Sequence, residues 1–550
     1  MEQSIIKYIE QAIRNNWEEL ALTDFNGVSF QYRTVARKIA KLHIAFDTVG
    51  IKKSDKIAIC GRNSAQWTIA FLATITYGAV PVPILHDFKP DTIHHIINHS
   101  EAKILFTDNS IWENLNPDNI TNIIGTIHIR DFGILFSRSE KLNYARLHLN
   151  ELFGKRYPER FTLENVKYDD VMPNGLAMIN YTSGSTGLSK GVMLPYRALT
   201  SNIIYTIEHL TFLKQGDGMV CMLPLAHMYG LVVEMLHPFV KGCHIYFLTK
   251  LPSPKVIMEA FAAVHPKLII SVPLILEKII KTKVFPLLEK PLMKILLKVP
   301  ILDDRLLAKI KEKLQETFGG QLHEFIIGGA ALNKDVEAFL RKINFPFTVG
   351  YGMTECAPLI SYSPWNESRQ GSCGQIVDRM EAKIDSPDPA HIAGELLVKG
   401  DNVMLGYYKS ADATQSVFTS DGWLRTGDLC TIDNDGFLYI RGRSKNMILG
   451  PSGQNIYPEE IEQQLNNMPY VSESLIVEEN NRLVALIYPD IENGSKQGLS
   501  FNELTQIMKE NISALNKELP GYSQIENIKV LHEEFEKTPK RSIKRYLYQH

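Results

Sequence analysis

Apolar and polar positions alternate between helical and strand periods along the first part of the chain. Apolar residues recur at helical spacing over residues 30–42, and short apolar runs lie within residues 56–60 and 104–107. Short apolar runs bounded by polar turns are typical of buried parallel strands. Strands that alternate with helices predict a parallel sheet that is covered by helices.

Two later apolar runs, residues 268–271 and 324–327, both end at small residues. Ligands bind beyond the carboxyl ends of the strands in open α/β sheets. The pattern therefore predicts a ligand crevice at this edge of the protein. From about residue 394 the apolar runs are short and are joined by tight turns, which indicates antiparallel strands.

The pattern changes again near Lys445 and predicts two domains, as 550 residues exceed one ordinary hydrophobic core. The predicted fold class is α/β. Residues 1–444 are expected to form a large domain of layered α/β subdomains with a small β-barrel-like part, and residues 445–550 a small mobile α+β domain. The elements predicted in the small domain are helices at 458–467 and 501–515 and strands at 473–477 and 482–488.

One stretch, residues 65–85, carries no charged side chain and is long enough to suggest a membrane span. Gly78, Pro81 and Pro83 argue against one continuous helix, because glycine and proline interrupt helices. We expect instead a helix, a turn at Gly78 and a buried strand over residues 79–84.

Charge and cysteine content exclude some classes of protein. The formal net charge of -2 offers no general attraction for nucleic acid, so no nucleic-acid partner is predicted. The 6 cysteines include no Cys-x-x-Cys pair, which argues against a zinc site or a disulfide framework and favours a reducing compartment. The chain start lacks the apolar stretch of a secretory signal, so a cytoplasmic location is predicted.

Residues 181–191, Tyr-Thr-Ser-Gly-Ser-Thr-Gly-Leu-Ser-Lys-Gly, lie between two apolar runs. Glycines let backbone N–H groups approach a ligand, hydroxyls donate without bulk, and a lysine supplies a cation, which suits a phosphate chain. A flexible surface turn is the alternative. The spacing excludes a Walker A loop, since Lys190 precedes Gly191 rather than Ser or Thr. The candidate ligands are Thr182, Ser183, Gly184, Ser185, Thr186, Gly187 and Lys190.

This segment resembles the phosphate-binding signature of the acyl-adenylate-forming enzymes, a family that includes acyl-CoA synthetases, luciferases and peptide-synthetase adenylation domains. The resemblance continues in the family's order along most of the chain. The further segments that carry it begin at Leu223 (Leu-Pro-Leu-Ala-His-Met), Gly328 (Gly-Gly-Ala-Ala), Gly350 (Gly-Tyr-Gly-Met-Thr-Glu), Trp423 (Trp-Leu-Arg-Thr-Gly-Asp) and Gly442 (Gly-Arg-Ser-Lys-Asn).

The resemblance implies that ATP activates a carboxylic acid as its acyl-adenylate, with Mg²⁺ bound and coenzyme A as the acceptor. It assigns the outgoing phosphates to Thr186 and Lys190, the α-phosphate to Thr354, and Mg²⁺ to Glu355 and Thr186. Adenine and ribose fall to the other implied residues, which are Gly328, Gly329, Ala330, Gly350, Tyr351, Gly352, Met353, Asp428 and Arg443. Alone, a Thr-Glu pair also begins helices and an aspartate also occupies turns.

Three further roles follow from the resemblance. His227 lies in a segment that lines the acyl side in the family, although a buried core histidine is the alternative. Lys445 matches the hinge about which the small domain rotates. The family's lysine near the carboxyl terminus falls on Ser542 here, so we predict that Lys544, or secondarily Lys540, replaces it; a solvated basic tail is the alternative.

The predicted acid is a long-chain fatty acid, because residues 271–280 resemble a segment of long-chain fatty acid–CoA ligases. Residues 281–300 then carry lysines at helical spacing beside leucines, which indicates a basic amphipathic helix started or kinked at Pro291. Such a helix either lies on an anionic membrane surface or packs on its own protein. The competing functions are an acyl–acyl-carrier-protein ligase and a catalytically weak acyl-nucleotide sensor.

Overall fold

The computed structural model describes residues 3–182, 189–249, 253–291, 293, 302–449, 455–480, 482–538 and 543–549. Within them the longer helices are Ile5–Asn15, Tyr32–Val49, Ala65–Tyr77, Pro90–Ser100, Glu140–Leu147, Leu149–Arg156, Tyr196–His209, Pro254–Val264, Leu302–Thr317, Lys334–Lys342, Pro458–Leu465 and Phe501–Leu515. The sheets that these helices cover divide the fold into layers.

Two sheets of the large N-terminal part are mainly parallel. The first has the spatial order Val80–Ile84, Lys56–Cys60, Ile104–Thr107, Gly125–His128 and Ile134–Ser137, with the last strand antiparallel. The second, of order Leu268–Ser271, Glu324–Ile327 and Phe347–Val349, is parallel throughout. These sheets confirm the predicted strands at 56–60, 104–107, 268–271 and 324–327, with the same bounds.

The remaining sheets of this part surround the two parallel ones. One contains Gly218–Cys221, His244–Phe247, Leu20–Asp24 and Ser29–Gln31, and another contains Gly406–Tyr407, Lys190–Pro195 and Leu176–Thr182. A small sheet contains Tyr351–Gly352, Leu359–Tyr362 and Gln375–Ile376. An antiparallel sheet of Met380–Asp385, Gly394–Gly400, Leu424–Ile432 and Leu438–Arg443 confirms the change of pattern predicted near residue 394.

The carboxyl-terminal part has its own apolar core. The strands Val471–Glu479, Arg482–Pro489 and Asn527–Val530 form a sheet, and the helices Pro458–Leu465 and Phe501–Leu515 pack on it through Leu465, Met508 and Ile487. This α+β arrangement matches the predicted elements. The first helix ends at Leu465 rather than residue 467, and both predicted strands are longer.

The uncharged stretch folds as predicted, into the helix Ala65–Tyr77, a left-handed turn at Gly78 with φ of 85°, and the strand Val80–Ile84. The helix is buried nearly all round, which explains its uniform apolarity. Among the helices described, none combines the length and apolarity that crossing a bilayer requires.

The basic segment that follows residue 280 is less regular than predicted. It continues the helix Pro273–Ile279 as a π-helical turn, Ile280–Val284, and a short helix, Phe285–Leu288. The helix breaks before Pro291, as expected of a residue that disfavours the helical conformation before it. Residues 292 and 294–301 lie outside the described part, so membrane contact through 281–300 stays a prediction.

Candidate active site

The two ends of the glycine-rich loop are held together by an antiparallel strand pair. Leu176–Thr182 pairs with Lys190–Pro195, and Thr182 lies opposite Lys190 in the register. The two apolar runs of the sequence are therefore the strands that hold the loop. The predicted ligands Ser183, Gly184, Ser185, Thr186 and Gly187 lie outside the described residues.

Lys190 and Glu355 approach the same tyrosine. The Lys190 ammonium lies 4.9 Å from the centre of the Tyr407 ring. The Tyr407 hydroxyl donates a hydrogen bond of 2.9 Å to Oε1 of Glu355. The loop lysine and the predicted metal-binding carboxylate, which are far apart in sequence, are thus neighbours on two sides of one ring.

A glycine turn follows the central strand of the second parallel sheet. Gly328 donates a backbone hydrogen bond of 3.1 Å to the Ser271 carbonyl, and Gly329 is left-handed with φ of 83°. A Cβ at Gly328 would lie 2.9 Å from the Tyr229 ring, so a side chain there would displace that ring. The turn exposes backbone at the carboxyl edge of the sheet, where the sequence predicts a crevice.

The next segment, residues 350–355, crosses this edge. Gly350 donates to the Ile327 carbonyl at 2.9 Å, which ties the segment to the glycine turn. Gly352 cannot carry a side chain, since a Cβ would lie 2.2 Å from the Pro358 carbonyl oxygen. Thr354 begins a single helical turn that includes Glu355, so both predicted phosphate and metal ligands project from one short turn.

Asp428 is the centre of a buried polar cluster. Its side chain is 4% exposed, and Oδ1 receives the Arg443 Nε at 2.7 Å, because the two residues lie opposite each other on adjacent strands. Oδ2 accepts a short hydrogen bond from the Tyr351 hydroxyl. Burial raises the pKa of the Asp428 carboxyl, while the charge of Arg443 and the hydrogen bond from Tyr351 oppose that shift. The structure therefore joins three predicted nucleotide-binding residues in one cluster.

A cavity of about 100 Å³ opens beside this cluster. Gly328, Gly329, Gly350, Tyr351 and Gly352 form one wall, which is the wall that the predicted nucleotide residues supply. The rest of the lining is largely apolar and comes from several separate elements, namely Tyr205, Thr206, His209, Leu210, Tyr229, Val233, Ile326, Pro358, Leu359 and Tyr362.

Tyr205 and His209 lie on the last turn of the helix Tyr196–His209 and stack with their ring centres 3.9 Å apart. Tyr362 meets Tyr205 edge-on at 6.3 Å and donates to the buried Glu324 carboxylate at 2.8 Å. Burial raises the pKa of Glu324 to about 7. Aromatic rings therefore form one side of the cavity, and polar contacts behind them fix at least one of these rings.

The segment that precedes His227 is held by three polar side chains. Glu234 accepts the backbone N–H groups of residues 222 and 223 at 3.1 and 2.8 Å. Asn63 accepts the N–H of residue 225 at 2.9 Å, and Asn180 donates to the carbonyl of residue 226 at 2.9 Å. His227 is half-buried, two residues before the cavity-lining Tyr229. Its role toward the acyl group stays a prediction.

Lys544 lies in a hairpin of the small domain. Its backbone N–H donates to the Glu536 carbonyl at 2.8 Å, and its ammonium pairs with the Glu536 carboxylate at 2.9 Å. The neighbouring Arg545 points inward and pairs with Glu462 at 2.5 Å. Lys540 and Ser542 lie outside the described residues. The structure therefore gives Lys544 an exchangeable surface partner, and its catalytic role stays a prediction.

Lys445 lies in a single helical turn, Ser444–Asn446, directly after the strand that carries Arg443. Asn446 donates to Glu459 of the small domain at 2.5 Å, and Gln463 donates to the Leu332 carbonyl at 2.8 Å. The small domain thus contacts both the predicted hinge and the loop after the glycine turn.

The structure brings together Lys190, Glu355, Tyr351, Asp428 and Arg443, all of which the sequence predicts. It adds Tyr407 and the cavity rings of Tyr205, Tyr229 and Tyr362, which the sequence analysis missed. Tyr407 follows Gly406, whose φ of 137° is a conformation that favours glycine. That Gly-Tyr pair is the signal that points to it, whereas nothing local marks the cavity rings.

The lysine at the end of the glycine-rich loop, the buried Asp428 carboxylate and the largely apolar cavity lie in one region of the protein, as expected of an enzyme that acts on a nucleotide and a second substrate. The chain belongs to the AMP-binding enzyme family, which matches residues 9–408. The family of AMP-binding enzyme C-terminal domains matches residues 445–549. The expected family is confirmed, and with it ATP-dependent adenylate formation of the acid–CoA ligase kind.

Relatives match over most of the chain. The long-chain-fatty-acid–CoA ligase FadD15 of Mycobacterium bovis is 26% identical over 493 residues, which cover 84% of this chain and 78% of the relative. The long-chain-fatty-acid–CoA ligase of Escherichia coli O6:H1 is 26% identical over 491 residues, covering 86% and 82%. The 4-coumarate–CoA ligase 1 of Solanum tuberosum is 26% identical over 465 residues, covering 82% and 76%.

Solved structures confirm the predicted fold, with its large N-terminal and small C-terminal parts. ATP-bound MatB from Rhodopseudomonas palustris superposes with a TM-score of 0.75 at 22% identity, covering 98% of both chains. O-succinylbenzoate coenzyme A synthetase (MenE) from Bacillus subtilis, solved with ATP and a magnesium ion, gives 0.74 at 21% identity and covers 99% of both.

Proposed function

We propose that this protein activates a long-chain fatty acid with ATP, releases pyrophosphate, and transfers the acyl group to coenzyme A. The observation that carries the proposal is the cavity beside Asp428, which shares Gly328 and Tyr351 with the predicted nucleotide residues and is otherwise largely apolar. An acid bound there has its hydrocarbon part out of water and its carboxylate toward the nucleotide.

In the first half-reaction a carboxylate oxygen of the acid attacks the α-phosphorus of ATP. The bond from that phosphorus to the bridging oxygen breaks, and pyrophosphate leaves. The protein has to neutralise the negative charge on the separating groups, and we assign this to Lys190 and Thr186, with Thr354 as the donor to the α-phosphate. The Lys190 ammonium enters from the end of the strand that closes the loop.

The carboxylate of Glu355 and the hydroxyl of Thr186 are hard oxygen donors, which suit Mg²⁺. Of these two, Glu355 lies among the described residues, and its carboxylate faces the region of Lys190 through Tyr407. When bound, the ion supplies Lewis-acid stabilisation of the phosphate oxygens. Glu355 would hold it against the polyphosphate.

Ribose recognition is assigned to Asp428. Its carboxylate is already oriented by Arg443 at 2.7 Å and by the Tyr351 hydroxyl, so little reordering is needed when ribose hydroxyls donate to it. Tyr351 has two surfaces: its hydroxyl contacts Asp428 and its ring lines the cavity beside Gly328 and Gly329, where adenine would stack.

In the second half-reaction the sulfur of coenzyme A attacks the acyl carbonyl carbon, and AMP leaves with the electron pair of the broken acyl–oxygen bond. We place the domain boundary at Lys445 and assign it the hinge between the two half-reactions, since a few residues at an element end can absorb such a rotation. Lys544 is assigned to the first half-reaction, and its exposed pair with Glu536 can exchange for a charged substrate.

Relatives named long-chain-fatty-acid–CoA ligases in Mycobacterium bovis and Escherichia coli support the choice of acid. The apolar cavity wall also favours a hydrocarbon acid over a dicarboxylate, because the lining residues Leu210, Val233, Ile326 and Leu359 carry no charge. Access of a lipid from a membrane surface through the basic segment 281–300 is part of the proposal.

Fatty-acid-dependent ATP–pyrophosphate exchange tests the proposal, measured for acids of increasing chain length and repeated with coenzyme A. We expect exchange to peak with long acids and thioester to form with coenzyme A. Exchange without thioester would point to an acyl carrier protein as acceptor, and ATP binding without exchange for any acid would point to a sensor. Either outcome contradicts the proposal. Flotation of the protein with anionic liposomes tests the contact at 281–300.

A further inference from the structure

Tyr407 lies between the two charged groups on which nucleotide binding depends. Its ring face carries the Lys190 ammonium at 4.9 Å, and its hydroxyl donates to Glu355 at 2.9 Å. We propose that Tyr407 is a positioning residue, which keeps Lys190 and Glu355 separate and oriented for ATP and its magnesium ion. The inference rests on the proposed roles of those two residues and adds a third residue to the site.

The fold places Tyr407 rigidly. The strand Gly406–Tyr407 pairs with Lys190–Pro195, so that Tyr407 lies opposite Val192 on the strand that begins with Lys190. Its backbone N–H donates to the Thr414 hydroxyl at 2.9 Å. The residue is therefore part of the sheet that holds the phosphate loop.

Gly406 contributes to this position. Its φ of 137° is one that L side chains rarely adopt, and a Cβ there would lie 2.6 Å from the Thr414 side chain. The chain can thus enter the short strand at the angle that turns the Tyr407 ring under Lys190.

The electrostatic argument concerns what the two charges would do without the ring. A lysine and a glutamate that lie on the same site attract each other, and a direct pair would satisfy both. ATP would then have to break that pair before Lys190 could meet a phosphate and Glu355 a metal ion. A ring face binds a cation more weakly than a carboxylate does, so Tyr407 orients the Lys190 ammonium without neutralising its charge.

The hydroxyl has a different task. Tyr407 is buried, and its hydroxyl donates a hydrogen bond of 2.9 Å to Oε1 of Glu355. It fixes one oxygen of the Glu355 carboxylate, and the second oxygen of that group is then presented in a defined direction.

Two substitutions separate these tasks. Tyr407→Phe keeps the ring under Lys190 and removes the donor to Glu355, whereas Tyr407→Leu removes both. We expect the first to weaken the gain in ATP affinity that Mg²⁺ provides by about tenfold, the lower end of what a hydrogen bond to a charged group contributes. The second should in addition weaken the binding of ATP without Mg²⁺ by about fivefold, since Lys190 and Glu355 can then pair.

The neighbouring residue offers a matched control. The Tyr408 side chain donates to Glu101 at 3.0 Å and lies under the Lys409 ammonium at 5.2 Å, so it makes the same two kinds of contact with other residues. Its backbone N–H donates to the Gly191 carbonyl at 2.7 Å, a contact that side-chain variants keep. Tyr408→Phe and Tyr408→Leu should bind ATP as the wild type does, with and without Mg²⁺.

The experiment is titration calorimetry of the full chain with ATP, first with a chelator and then with MgCl₂, alongside the melting temperature of each variant. The proposal is overturned if both Tyr407 variants bind ATP and MgATP within twofold of the wild type. It is also overturned if the Tyr408 variants lose as much, or if Tyr407→Phe loses affinity only in step with its melting temperature.

This readout does not depend on the acid. If the wild type bound MgATP but supported no pyrophosphate exchange with any acid, the proposed function would fail while the inference on Tyr407 would still be decided by calorimetry. If instead exchange proceeds, the Tyr407→Phe variant should need about tenfold more Mg²⁺ for half-maximal exchange, with its maximal rate little changed.

Discussion

The proposed nucleotide side, around Asp428 and Glu355, and the proposed acid side, the largely apolar wall that includes Tyr205 and Val233, differ in the kind of contacts that build them. On the nucleotide side, charged and hydroxyl groups are tied in pairs: Asp428 to Arg443 at 2.7 Å, and Glu355 to Tyr407 at 2.9 Å. On the acid side, apolar residues from separate elements share a surface, and aromatic contacts such as Tyr205 on His209 complete it.

The difference shows which part of the function is free to vary. Chemistry on ATP needs certain groups at certain positions, because developing charge must meet oriented partners. Binding a hydrocarbon chain requires only an apolar cavity of sufficient volume, which many combinations of side chains can form. Changes on the nucleotide side should therefore affect all acids alike, and changes on the acid side should affect the choice among acids.

The largest effect should come from Lys544, the lysine of the small domain that we assign to the first half-reaction. Lys544→Ala is expected to slow adenylation of every acid by about 10²–10³-fold, by analogy with the loss of one donor to developing charge. Transfer from a preformed acyl-adenylate to coenzyme A should be unaffected. Single-turnover assays of the two half-reactions measure this.

Two further variants are measured in the same assays: Lys540→Ala tests the alternative assignment, and Lys537→Ala is the control. Lys537 lies in the same hairpin and pairs with Glu473 at 3.0 Å, so its loss controls for the hairpin's stability. A large loss in Lys540→Ala with normal adenylation in Lys544→Ala would move the role to Lys540. Normal adenylation in both would leave the site without a small-domain cation.

Glu355→Gln should lower pyrophosphate exchange by about 100-fold with every acid, since the amide keeps the shape and loses the charge that holds Mg²⁺. The order of preference among acids should not change. Exchange assays over the chain-length series, at several Mg²⁺ concentrations, measure both points. A variant with unchanged exchange would remove the metal assignment, and an altered order of acids would break the separation between the two sides.

How far the sequence predicts the molecule follows the same division. Lys190, Glu355, Asp428 and Arg443 stand in local segments of recognisable composition, and the structure places them around one site. The strands at 56–60 and 268–271 are also predictable, because a short apolar run between turns fits few structures other than a buried strand.

The position of the cavity at the strand ends was predictable, but its apolar lining was not, since Tyr205, Val233 and Leu359 meet only after three separate elements pack. Each is an ordinary apolar residue of a buried helix or strand, with no local sign of a ligand. Tyr407 belongs to an intermediate case: its glycine neighbour marks a special backbone, but the ring's contact with Lys190 depends on strand pairing.

On the acid side, Tyr205→Leu should change the choice of acid. Removing the ring enlarges the cavity beside His209, so kcat/KM for the preferred acid should fall about tenfold relative to acids longer by a few carbons. The KM for ATP should stay the same. Tyr205→Phe, which keeps the ring, is the control and should retain the wild-type order. An unchanged order in Tyr205→Leu, or a raised KM for ATP, would contradict the assignment of this wall.

The smallest effect concerns stability behind the acid side. The helix His237–Val240 continues the π-helical turn Gly230–Leu236, which carries Val233 of the cavity wall. His237 is fully buried, and neither ring nitrogen has a hydrogen-bond partner within the described part of the chain. Burial, and then the charge of Lys241, lowers the pKa of His237 to about 3.

The ordinary pKa of a histidine in the unfolded chain is about 6.5, so between pH 6.5 and pH 3 the unfolded chain binds this proton and the folded protein does not. The free energy of unfolding therefore decreases as pH falls through this range. One pH unit below 6.5 corresponds to about 1.4 kcal/mol. His237→Leu should therefore lose less stability than the wild type between pH 7.5 and 5.5, as measured by melting temperature, whereas the exposed His532→Leu should follow the wild type. A wild-type slope retained in His237→Leu would show that other buried histidines, His43 and His244, carry the dependence, since burial lowers the pKa of both to about 4.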